Sequence, residues 1–133
     1  MSEFSYKIIS NEDLPLLAEW WHDWGWETHP TADMLPKNGI LVFNGDIPVY
    51  AGFLYTTGTA VGWIEYVVSN KKADVSLRRG GLQFLINGLG LIAKMYGIRV
   101  LFTSTIDKAF VQSLKKCGFE IGDVNNYQLL KRI

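Results

Sequence analysis

The sequence predicts an α/β chain of the α+β kind: a mixed, mostly antiparallel sheet of six to seven strands with helices on both faces. Three observations carry that reading. Residues 39–68 hold three apolar runs divided by Asn44-Gly45 and Gly58-Thr59, the turn chemistry that joins antiparallel neighbours. Leu82, Leu85, Ile86, Leu89, Ile92, Ala93 and Tyr96 then fall on one face at helical spacing. The second half alternates strand and helix, so the sheet is mixed rather than built of hairpins alone.

The first strand is the short, loosely alternating run Phe4-Ser5-Tyr6-Lys7-Ile8-Ile9. Ser10 or Asn11 caps a helix with Leu14, Leu17, Ala18 and Trp21 at intervals of three and four, Pro15 being tolerated in its first turn and Gly25 ending it. Residues 26–37 contain Pro30 and Pro36 and no clean period, which predicts a loop with at most a turn or two of helix. Residues 39–43 and 48–55 form a hairpin around Asn44-Gly45-Asp46, and residues 61–68 add a third antiparallel strand. The long helix that follows ends at Gly97, where a C-cap glycine belongs. Gly88 and Gly90 weaken it by up to ~1 kcal/mol each relative to alanine unless close packing requires small residues. Residues 99–104 make a strand, and Asp107 caps a helix with Ala109, Phe110, Val111 and Leu114 inward. Residues 120–121 and 127–130 close the sheet with a hairpin.

A chain of 133 residues, 48% of them apolar, is expected to be one domain spanning residues 1–133. Its 13 basic and 13 acidic side chains cancel, so no global field draws it to nucleic acid or to an anionic membrane. One cysteine, Cys117, excludes an internal disulfide framework, and its place before Gly-Phe suits buried packing. Met1-Ser2-Glu3-Phe4 lacks the basic-then-apolar profile of a secretion signal, and no apolar run approaches the ~20 residues that span a bilayer. The expectation is a soluble cytoplasmic protein without membrane or nucleic-acid partners.

Chemistry concentrates between the fourth strand and the long helix. Residues 69–81 hold Lys71, Lys72, Arg78, Arg79, Gly80 and Gly81 ahead of a helix N-terminus, where backbone amides and the positive dipole end receive anions. The plain alternative is a set of basic residues solvating a helix start.

The order and spacing of residues 62–119 resemble the cofactor half of the GNAT N-acetyltransferases. Val67-Val68 stands where that family has its valine dipeptide, and Ala93-Lys94-Met95-Tyr96-Gly97 matches its Ala-x-x-x-Gly helix end. Asp107-Lys108-Ala109 and Leu114-Lys115-Lys116-Cys117-Gly118-Phe119 resemble its Asn-x-x-Ala and Tyr-x-x-x-Gly-Phe elements. The likeness covers the chain in element order and is residue-specific over its second half, and it is nearest to the divergent GNAT-like proteins that phages often encode. It implies splayed fourth and fifth strands and acetyl-CoA held by Ser69, Arg78, Arg79, Gly80 and Gly81, with the backbone of Val67 and Val68 along the pantetheine arm. Three features depart from the family: Arg78-Arg79-Gly80-Gly81 has the residue types of its phosphate turn without the spacing, Leu114 replaces a tyrosine that protonates the departing thiolate, and Asp107 replaces the asparagine at the start of the last helix, a good cap but an anion less welcome near a polyphosphate. Ser104, Thr105 and Tyr127 are other candidate donors.

The implied activity is acetyl transfer from acetyl-CoA to a primary amine by direct attack on the thioester, with Glu65 as the general base. Strand alternation sets Glu65 opposite Ile64 and Tyr66, flanked by Trp63 and Val67, surroundings that raise a carboxylate's pKa. The alternative is a solvated or lysine-paired Glu65. Trp20, Trp21, Trp24 and Trp26 cluster with His22 and His29 where the family walls its acceptor site, which makes Trp24, Trp26 and Glu27 candidate substrate contacts, with Asp23 a further anion to attract a cationic amine. Trp21 and Trp24 also lie at core spacing. No metal site is expected, since the two histidines lack ligand spacing, and no Ser-His-Asp elbow is visible. The acceptor is a small-molecule or protein amine, and the family commonly forms homodimers. The competing readings are a catalytically degenerate GNAT-fold module that binds or regulates, and an interaction protein whose tryptophans dock a partner.

Overall fold

The computed structural model describes residues 3–133. In chain order it contains β1 (Phe4–Ile8), α1 (Leu14–Asp23), β2 (Gly39–Asn44), β3 (Ile47–Thr56), β4 (Val61–Ser69), the single turn α2 (Val75–Arg78), α3 (Gly81–Met95), β5 (Val100–Phe102) and α4 (Lys108–Lys116). The strands form one sheet in the order β1-β2-β3-β4-β5, antiparallel except for the parallel β4–β5 pair. The β2–β3 hairpin closes through Gly45, whose φ of +61° is the left-handed conformation that a tight hairpin requires.

Period-two alternation divides the sheet's side chains between two layers. Ile40, Val42, Val49, Leu54 and Ile64 pack against Leu82, Leu85, Ile86 and Leu89 of α3. Leu41, Ala51, Phe53 and Val68 pack against Leu17, Trp20 and Trp21 of α1. Because both faces are covered, β2 buries the continuous run Ile40-Leu41-Val42 and needs no polar alternation. The two helix glycines differ: a Cβ on Gly88 would lie 2.8 Å from Ile40 Cδ1, whereas Gly90 has nothing within 4 Å. Gly88 therefore allows the close approach of α3 to β2, and Gly90 contributes no such contact.

Several boundaries differ from the sequence expectation. The sheet has five strands, not six to seven, because residues 120–121 and 127–130 form no hairpin. Their alternation finds no surface to cover, with Tyr127 92% exposed, and an isolated two-stranded hairpin is marginal in water. The strand at residues 99–104 shrinks to β5, and Ala109 of α4 is exposed rather than inward. Trp21 is core but Trp24 is exposed, so core spacing held for one and not for the other. Residues 69–81 contain the helical turn α2. As expected, Gly97 caps α3 at φ +74°, and Asp107 caps α4 by accepting from Ala109 N at 2.9 Å. Among the described residues, no helix is long and apolar enough to cross a membrane.

Candidate functional site

The site begins where β5 leaves β4. Pairing covers Val61 with Val100, Gly62 with Leu101 and Trp63 with Phe102, and then stops. At the next step the Thr103 hydroxyl, not a backbone amide, donates to Ile64 O at 2.8 Å. Residues 65–69 continue β4 without a strand on that side, because β5 is only three residues long. The other ladder is broken too: Glu65 pairs with Phe53 and Val68 with Ala51, leaving Tyr66 and Val67 as a bulge without partners on β3. Tyr66 has φ +58°, unusual for a residue with a Cβ. Across from the bulge, a Cβ on Gly52 would meet Leu85 at 3.1 Å and Val67 at 3.2 Å, so this glycine lets Val67 and α3 close over β3.

The bulge changes which side chains surround Glu65. Simple alternation put Tyr66 on the opposite face and Val67 alongside; instead Tyr66 joins the α1-side cluster with Trp26 and Tyr55, and Val67 packs in the α3-side cluster. Glu65 is half-buried, forms no ion pair among the described residues, and burial pushes its carboxyl pKa up. The neighbouring Tyr55 hydroxyl is pushed up to about 12 by burial, then by the proximity of Tyr66 and Glu65. That hydroxyl donates to Met34 O at 2.7 Å and ties the loop after α1 to this face. An ionised Glu65 here is a carboxylate without a counterion, ready to accept a proton.

Beside the C-terminal end of β4 lies a cleft of about 340 Å³, lined in part by Tyr50, Arg78, Arg79, Gly80, Ser113 and Lys116. Gly80 turns the chain into α3 at φ +86°, and a Cβ on Gly81 would lie 2.7 Å from Tyr50 Cδ2, so both glycines are required by their surroundings. The first intrahelical bond runs from Phe84 N to Gly80 O, which leaves the amides of Gly81, Leu82 and Gln83 free of intrahelical partners at the helix's positive end. Arg78 reaches Ser69 Oγ through Nη1 at 3.4 Å, while its buried Nε has no partner. Asn44 steadies this loop: its Nδ2 donates to Leu77 O at 3.0 Å and its Oδ1 accepts from Glu3 N. Ser113, Lys116 and Asn44 escaped sequence reasoning. Lys116 reads as an ordinary solvated helix end, and only the fold brings α4 beside the start of α3.

The tryptophan segment meets β4 directly. Trp24 Nε1 donates to Ser69 O at 2.9 Å, and Lys71 Nζ lies 4.8 Å over the Trp24 ring. Trp26 stacks on Trp21 at 5.8 Å between centroids, and Trp21 stacks on His29 at 5.7 Å. Glu27 is exposed beside them. Among the described residues, no group of His, Cys, Asp and Glu is placed to hold a metal ion. Val68 is buried against α1, Leu114 is buried in the α3-side core, and Cys117 is a half-buried thiol whose pKa burial raises. The other candidate donors, Ser104, Thr105 and Tyr127, are all exposed, and Thr105 Oγ1 accepts from Asp107 N at 3.0 Å.

No protein-family model matches the chain, and no curated protein matches it significantly. Solved structures do match. A Trypanosoma brucei acetyltransferase superposes with a TM-score of 0.68 at 19% identity, over 96% of this chain and 100% of that one. An aminoglycoside acetyltransferase from an uncultured soil metagenomic sample, in complex with sisomicin, gives a TM-score of 0.69 at 13% identity, covering 96% and 97% of the two chains. N-acetylglutamate synthase from Neisseria gonorrhoeae, in complex with coenzyme A and L-arginine, gives 0.67 at 16% identity, over 86% of this chain and 27% of that longer one. These likenesses show a GNAT-like α+β fold, and they lend the expected phage affinity no support.

Proposed function

We propose that the chain is an acetyl-CoA-dependent N-acetyltransferase that acetylates a primary amine by direct attack on the thioester. One observation carries the reading: the half of β4 beyond its pairing with β5 bulges at Tyr66 and Val67 and leads to a cleft lined by Arg78, Arg79 and Lys116. Those residues fit an acyl-CoA. The three cations and the free amides that open α3 suit a diphosphate, and the unpartnered Nε of Arg78 has a donor to give. In this reading Ser69, Gly80 and Gly81 shape the approach to the diphosphate, and the backbone of Val67 and Val68 would run along the pantetheine arm. When bound, acetyl-CoA supplies the activated acyl carbon.

Glu65 performs the proton work in this reading. Ionised, it would accept the proton that the amine loses as nitrogen replaces sulfur on the acyl carbon, the C–S bond breaking and the thiolate leaving to take its proton from solvent. Burial raises its basicity above that of a solvated carboxylate. The amine approaches from the α1 side, past Trp26 and the exposed Glu27, whose charge favours a cation. The acceptor is a small-molecule or protein amine; the aminoglycoside held by one structural neighbour is an amine of the first class.

Buried Leu114 favours a second reading, a GNAT-fold module that binds acetyl-CoA without turning it over, since this side chain has no proton to give. Thiol release across a panel of small amines and lysine peptides separates the two. Turnover that Glu65→Gln removes supports the enzyme, and binding without turnover supports the module.

A further inference from the structure

Residues 65–69 of β4 have no strand on the β5 side, and on the β3 side Tyr66 and Val67 bulge opposite the single residue Gly52. Two contacts from the α1 side reach this stretch. Trp24 Nε1 donates to Ser69 O, the last residue of β4, at 2.9 Å. The indole is itself held, because Lys71 lies over its ring and donates to Asp23 O at 3.3 Å. Tyr66, in its disfavoured left-handed conformation, sets its ring edge-on to Trp21 at 6.2 Å and beside Trp26 at 6.3 Å, and Trp21 is buried in α1. The contacts fall at the bulge itself and at the end of the strand, where β4 pairs with β3 again.

We infer that Trp24, with the Trp21–Trp26 stack on Tyr66, braces the half of β4 beyond its pairing with β5 and thereby positions the backbone beside the cofactor slot. Trp24 is then a positioning residue, with its N–H and ring face already engaged by Ser69 and Lys71. The catalytic consequence rests on the acetyltransferase reading; the brace itself does not.

The test uses the full chain with Trp24→Phe, which keeps an aromatic ring and removes the indole N–H. Hydrogen exchange reads the brace without any ligand. Amides of residues 68–70, which pair with β3 next to the Trp24 contact, should exchange about five-fold faster than in the unsubstituted protein, the loss of one hydrogen bond, with β2 unchanged. Acetyl-CoA binding should weaken by a similar factor while KM for the amine stays the same. Tyr66→Phe should behave as the parent in exchange, and Tyr66→Gly, which relaxes the backbone but loses the ring, should behave as Trp24→Phe. Unchanged exchange at residues 68–70 in both Trp24→Phe and Tyr66→Gly overturns the brace. So does a raised amine KM with cofactor affinity intact, which assigns Trp24 to the acceptor. If the parent protein binds no acetyl-CoA, the acetyltransferase reading fails, and the exchange rates still decide the brace.

Discussion

The hydroxyl of Thr103 donates to the carbonyl oxygen of Ile64 at 2.8 Å, at the fork where β5 turns away from β4. A side chain here takes the carbonyl that the next β5 amide would have taken, so the strands part without leaving an unsatisfied acceptor. Thr103→Val keeps the shape and removes the donor. It should cost about 1 kcal/mol, read as a lowered thermal midpoint, whereas Thr103→Ser should hold the parental value. Equal midpoints for the Val and Ser variants would remove the fork from the account.

Glu65 links activity and stability through one proton. Burial raises its pKa above the ordinary 4.5, so the folded state holds this proton more tightly than the unfolded chain. Its contribution to stability is therefore greatest at low pH and declines as pH rises from the unfolded value through the raised folded one. Activity runs the other way, because the base must be ionised, and turnover should climb through the same raised pKa. Glu65→Gln should lower turnover by about 10²-fold or more, leave acetyl-CoA affinity intact and raise the melting temperature at neutral pH. A variant that loses cofactor binding in proportion to turnover would show that Glu65 is structural.

Charge at the cleft gives a salt-dependent prediction. Arg78→Ala and Lys116→Ala should each weaken acetyl-CoA binding by roughly ten-fold at low ionic strength, with the Lys116 effect shrinking as salt rises because that side chain is exposed. Calorimetric titrations at two salt concentrations check this. Lys108→Ala, on the same helix but outside the cleft, serves as the comparison.

The helix glycines make a prediction independent of function. Gly90→Ala meets nothing within 4 Å and should stabilise the protein by up to ~1 kcal/mol, while Gly88→Ala places a Cβ 2.8 Å from Ile40 and should destabilise it. Urea denaturation of the two variants should shift the midpoint in opposite directions.

These cases also show what was legible in the sequence. The β2–β3 hairpin and α3 were readable because Gly45 and the apolar face of α3 report on local geometry alone. The bulge at Tyr66 was not, because tyrosine gives no hint of a left-handed backbone, and its ring meets Trp21 and Trp26 only in the folded chain. Hence Glu65 was placed on the correct strand with the wrong neighbour on its face. The cationic cleft was half legible: Arg78 to Gly81 stood out as a local cluster, but Lys116 and Ser113 reach it only through the packing of α4. Residues 127–130 misled for the converse reason, since Tyr127, Leu129 and Leu130 carry a strand-like pattern and lie exposed.

The most direct measurement is calorimetric titration of the full chain with acetyl-CoA, alone and with Arg78→Ala. The account predicts one site of about micromolar affinity, weakened by roughly ten-fold in the variant. No heat at millimolar ligand, or equal affinity in the two proteins, would contradict it.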